Sequence, residues 1–120
     1  MKIEGKAKAV AIYVGESDRW KGQPLYVAIV EEARRLGMAG ASVFRGMMGF
    51  GANSRIHTAS ILRLSEDLPV SIHIVDVEER IKPFLRVLDD MVSEGLVVTC
   101  DVTVERYVHS GGPAQGGGKP

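Results

Sequence analysis

The chain has a single cysteine, Cys100, so no internal disulfide can form and packing alone must hold the fold. It also has no surplus of either charge. Fifteen Lys and Arg balance fifteen Asp and Glu, which removes the overall field that draws basic proteins to nucleic acid or to anionic bilayers. Any anion site must therefore be local. Apolar runs are short, none approaching the roughly 20 residues that span a bilayer, so a membrane connection would come only through a partner. The amino terminus lacks the apolar core of a signal peptide, and a cytoplasmic protein is expected. His57, His73, His109 and Cys100 show no ligand spacing such as Cys-x-x-Cys or His-x-x-x-His, so no metal site is expected. Enzyme chemistry is not expected either, because no nucleophile stands with its base. Asp89–Asp90 and Glu78–Glu79 are adjacent on a helix, point in different directions and form a solvated face rather than an acid/base pair.

What is present is enough for one ordinary domain. A chain of 120 residues removes roughly two-thirds of its unfolded surface from water. From Lys6 to Gly15 the residues alternate, with Val10, Ile12 and Val14 on one face and Ala7, Ala9, Ala11 and Tyr13 on the other, which predicts a first strand. Glu16 to Pro24 is polar and predicts a loop. Leu25, Ala28, Ile29, Ala33 and Leu36 recur at helical spacing before Gly37, predicting a helix over 24–36. A short strand at Ala41–Phe44 follows, then a strand at Val70–Asp76, a helix at Glu78–Ser93 that tolerates Pro83 near its start, and a last strand at Leu96–Val108. This β-α-β-β-α-β order predicts an α+β fold, a ferredoxin-like sandwich whose antiparallel sheet carries both helices on one face. The other face, lined by alanines and Val75, is left bare and predicts self-association, with His73 at the interface. Residues 1–110 form the single domain, and 111–120, rich in Gly and Pro, are expected to be a flexible tail.

The stretch that carries function is Arg45 to Thr58, with three glycines, two arginines and a histidine. Gly49-Phe50-Gly51 beside cationic groups suits a loop that wraps an anion; the alternative is a glycine-rich hairpin connection with solvated arginines. Met47 and Met48 are expected to be adaptable packing at the loop root or part of a partner surface. Asn53, Ser54, Arg55 and His57 would face that partner, on a loop that is mobile without ligand and ordered with it.

Pro24-Leu25-Tyr26, Ala39-Gly40-Ala41, Arg45-Gly46, Gly49-Phe50-Gly51, Ile56-His57-Thr58 and Asp67-Leu68-Pro69-Val70 together resemble the PII signalling superfamily (GlnB-like). The similarity runs nearly from Lys6 to Tyr107 and is strongest to a little-characterised PII-like branch. The resemblance implies a homotrimer with bare sheet faces inward and a small ligand, an adenine nucleotide, bound between subunits. It places Gly49, Phe50 and Gly51 at the nucleotide and Arg106 and His109 at its phosphates, and it implies that the loop signals to a membrane transporter, a channel or an enzyme. Two departures bear on the ligand. The connection Ser93-Glu94-Gly95 is short and acidic where PII proteins grip polyphosphate, which favours a monophosphate over ATP, and no tyrosine between Gly51 and Leu68 offers a uridylylation acceptor. Two other readings remain open: a trimeric metal-binding protein resembling the divalent-cation-tolerance proteins, and an enzyme using Arg55 and His57 on a phosphorylated substrate.

Overall fold

The computed structural model describes residues 1–50, 57–58 and 67–109; the expected tail at 111–120 lies outside them. The first strand, β1 (Lys2–Gly15), begins four residues before the alternation that predicts it. Val10, Ile12 and Val14 are buried on its helix side, whereas Tyr13 is exposed and Ala9 and Ala11 are half-buried on the other. Ala7, expected on the bare face, is buried.

The segment expected as a plain loop instead contains a small hairpin. β2 (Arg19–Trp20) pairs with β3 (Gln23–Pro24) across Lys21 and Gly22, whose φ angles are +48° and +86°. Two successive left-handed residues match the twist of paired strands, and the sequence signal is faint because Lys stands where Asn or Asp is usual. Helix α1 (Leu25–Arg35) buries Leu25, Ala28, Ile29 and Ala33, as its spacing predicts. It ends with Met38 N–H donating to Ala33 C=O at 3.1 Å and Gly37 N–H to Arg34 C=O at 3.0 Å. That closing turn needs a left-handed residue, and Gly37 supplies it with φ +79°.

β4 (Ser42–Arg45), β5 (Met48–Gly49), β6 (His57–Thr58) and β7 (Pro69–Asp76) follow, then helix α2 (Glu78–Met91) and β8 (Leu96–Val108). Pro83 lies in the second turn of α2, where it cannot give the hydrogen bond that the Glu79 carbonyl would accept; burial of Ile81, Phe84, Leu88 and Met91 holds the helix regardless. The main sheet has the order β4-β7-β1-β8 with every neighbour antiparallel, the ferredoxin-like arrangement that the element order predicts. Even positions of β1 and β7 meet both helices in one core, in which Ile12, Ile29, Ile72 and Phe84 are fully buried.

The opposite face carries Tyr13, Phe44, Val75, Leu96 and Val98, all exposed. His73 lies on that face, edge-on to Phe44 (ring centroids 5.3 Å apart) and to Tyr13 (6.4 Å). Between the pairs Ile3↔Tyr107 and Gly5↔Val104, β8 contains one more residue than β1. The bulge takes in Glu105 and Arg106.

Candidate ligand site at the loop root

The site grows from the end of β4. Arg45 pairs with Val70, and Gly46 N–H continues the ladder to the Pro69 carbonyl at 2.7 Å. The chain then turns into β5, which pairs with β6 as Met48↔Thr58 and Gly49↔His57. The root of the excursion is therefore a two-stranded ribbon.

The glycines there have a steric reason. A Cβ on Gly46 would stand 2.7 Å from Cγ of Pro69 and 3.3 Å from its carbonyl oxygen; one on Gly49 would stand 2.9 Å from the same Cγ. Both residues close on the proline ring, and a rigid ring cannot swing aside. Met47, Met48 and Phe50 are 79%, 66% and 69% exposed, so the methionines do not pack the root but present a soft apolar surface at its rim. Of the two expectations for these methionines, their exposure favours the partner surface over packing at the root.

Both ends of the excursion are tied to the end of β1. Arg45 forms an ion pair with Glu16; Glu16 N–H donates to the Leu68 carbonyl at 2.8 Å, and Ser17 N–H to Oδ1 of Asp67 at 2.7 Å. Asp18 accepts from Gly15 N–H at 2.9 Å through Oδ2, and its carbonyl accepts from Leu25 N–H at 2.7 Å, which carries the same clasp to the start of α1.

Arg106 and His109 lie elsewhere. Arg106 is exposed in the β8 bulge, and His109 exchanges backbone hydrogen bonds with Met1. Their strand end pairs with Ile3, whereas the loop root adjoins Gly15 through its pairing with Pro69. Twelve residues of extended chain separate these two ends, roughly 40 Å at ~3.3 Å per residue. One chain does not bring Gly49 and Arg106 together; only a neighbouring copy could. Of the other expected residues, His57 is described in its backbone alone, while Gly51, Asn53, Ser54 and Arg55 lie outside the described residues. Among the described residues no three His, Cys, Asp or Glu side chains converge on a metal position, and no described helix is long and apolar enough to cross a membrane.

Two structural features escaped the sequence reading. Asp76, fully buried at the end of β7, accepts from Ala39 N–H (2.8 Å), Val77 N–H (2.7 Å) and Arg80 Nε (2.9 Å). Tyr107 Oη donates to the Ala39 carbonyl at 2.9 Å, so the turn that leads into β4 is held from two strands. The available signal was an aspartate closing an alternating apolar strand with an arginine four residues on. The second is the Arg45–Glu16 clasp, for which 29 residues of separation leave no local signal.

The fold, with its long excursion after the second main strand, is that of PII-like proteins. It is similar to CPII from Thiomonas intermedia K12 bound to ADP, AMP and bicarbonate, with a TM-score of 0.66 and 17% identity over 84% of this chain and 90% of that one. A putative PII-like signaling protein from Thermus thermophilus gives a TM-score of 0.56 and 21% identity over 87% and 91% of the two chains. CutA from Synechococcus elongatus gives 0.56 and 10% over 89% and 85%. At these identities the likeness concerns the fold. Residues 7–104 match the DUF190 family model, "Uncharacterized ACR, COG1993", and the chain belongs to that family. It is 35% identical over 99 residues to a UPF0166 protein of Aquifex aeolicus, covering 82% of this chain and 93% of that one. A UPF0166 protein of Methanocaldococcus jannaschii is 37% identical over 100 residues, 82% and 92% of the respective chains.

Proposed function

We propose that this is a PII-like regulatory protein, a binding protein rather than an enzyme, that holds a small anionic metabolite of the adenine nucleotide class in clefts between the subunits of a homotrimer. The observation that carries the reading is the placement of the loop root and the β8 bulge at opposite ends of one sheet whose free face is apolar. Copies related head to tail around a ring, their bare faces inward, would set the Gly46–Phe50 ribbon of one beside Arg106 and His109 of the next. Bound ADP and AMP in CPII, which has the same fold, support the ligand class. The clasp of Arg45 to Glu16 and of Asp67 to Ser17 supports a regulatory role, since it couples both ends of the excursion to the rigid sheet. The residues beyond the ribbon would then present Asn53, Ser54, Arg55 and His57 to a partner, by class a membrane transporter, a channel or another enzyme.

Isothermal titration with AMP, ADP and ATP tests the reading, with zinc and copper titrated separately. Saturable heat with a nucleotide is the expected result; heat with the metals alone would move the protein to the metal-binding reading. Hydrogen exchange across residues 50–58 should slow when the nucleotide is added, and equal exchange in both states would leave a binding protein without the switch.

A further inference from the structure

On the helix side a cleft of about 380 Å³ opens between the β2–β3 hairpin and the two helices. Trp20 and Lys21 line it from the hairpin, Glu31 from α1 and Asp90 from α2, over an apolar floor of Ala28, Val87 and Met91. The volume is at the lower end of small-molecule sites, ~300–1,000 Å³. Three features define what would fit. Glu32 and Arg35, both also in the lining, are paired with each other, whereas neither Glu31 nor Asp90 has an ion pair among the described residues. Trp20, half-buried against the core, offers an indole face, and Lys21 Nζ sits 5.2 Å from its centroid, a cation–π distance. Lys21 reaches that position from a left-handed backbone, the one described non-glycine residue with positive φ. An unfavourable backbone thus places an ammonium over the ring.

We propose that this cleft is a second ligand site, taking a small organic cation with an aliphatic stem and an ammonium or guanidinium head. The stem lies on Ala28, Val87 and Met91. The head takes the place that Lys21 holds over Trp20 and is met by Glu31 and Asp90, and Lys21, at the exposed hairpin tip, swings out to solvent. The charge preference is opposite to that proposed for the loop root, and the inference does not depend on that reading. The hairpin springs from Asp18, next to the Ser17 N–H that anchors Asp67.

Trp20 is the only tryptophan in the chain, so its emission reports the cleft directly. The full chain would be titrated with n-butylguanidinium, n-butylammonium and uncharged n-butylurea at low and high salt. Saturable change with the two cations, weakened by salt and absent with the urea, is expected. Glu31→Gln with Asp90→Asn should weaken binding at least tenfold, while Lys21→Met, which removes the competing ammonium, should tighten it severalfold. Both sets of changes are at exposed positions, and circular dichroism would verify the fold. No saturable change with either cation, equal response to the urea, or unchanged affinity in the double variant would each overturn the proposal.

Discussion

Asp76 shows how much one side chain can hold. Its carboxylate is fully buried, and three donors from different segments converge on it: the turn after α1, the first residue beyond β7 and Arg80 of α2. Asp76→Ala removes the charge and leaves Ala39 N–H and the Arg80 guanidinium without their acceptor, at a cost of ~3 kcal/mol. Urea denaturation should show the midpoint falling with the slope unchanged; a loss under 1 kcal/mol would mean that water replaces the carboxylate. At the loop root the decisive contact is steric. Gly49→Ala puts a methyl 2.9 Å from Cγ of Pro69, which should destabilise by ~1–3 kcal/mol. The double variant with Pro69→Ala should recover most of that loss, and additive costs in the cycle would show that the ring is not the obstacle.

At the scale of elements, the β1–β8 ribbon is joined by Lys8 and Asp101, 2.7 Å apart. The hydrogen bond, then the Coulombic attraction, raises the Lys8 ammonium above its ordinary value and lowers the Asp101 carboxyl below its own. Arg35 lowers Glu32 in the same way on α1. For the depressed carboxyls the contribution is present above the ordinary carboxylate range, near pH 4, and is lost as pH falls through the lowered value. For Lys8 it is present below the ordinary lysine value and lost as pH rises past the raised one. Stability should be flat through neutrality and fall on the acid side. Asp101→Asn should make the urea midpoint less sensitive to pH between 5 and 2, and an acid limb identical to that of the natural chain would exclude the pair as a source.

The whole molecule presents an apolar sheet face that neither described helix covers, with Tyr13, Phe44, Val75, Leu96 and Val98 exposed together. Assembly is the economical cover, and light scattering should give three times the 13.0 kDa chain mass at micromolar concentration. Ala9 lies in the middle of this face, opposite Val75 and Cys100 in register, and Ala9→Arg should yield monomers because like charges would be buried near the symmetry axis. If the assembly sets Arg106 beside a neighbour's loop root, Arg106→Ala removes a charge-assisted contact of ~1.5–3 kcal/mol and weakens nucleotide binding roughly ten- to a hundredfold. Unchanged affinity by calorimetry would place the phosphate elsewhere.

By itself the sequence determined the order of the main-sheet strands and the two helices, the helix faces and the two-sidedness of the sheet. These depend on periodicity, which is a local property: Val10, Ile12 and Val14 alternate whatever lies opposite, and Leu25, Ala28 and Ile29 share a helix face before any partner is chosen. The bounds of β8 were legible to the residue, and those of α1 and β4 to within one. The candidate residues were legible as chemistry but not as geometry. Only tertiary structure decided that Gly46 and Gly49 close on Pro69, that Arg45 answers Glu16, and that the loop root and Arg106 stand at opposite ends of one sheet. Each of those depends on strand register and on contacts between segments far apart in the chain, where steric fit and charge pairing act through space and leave no trace in local spacing.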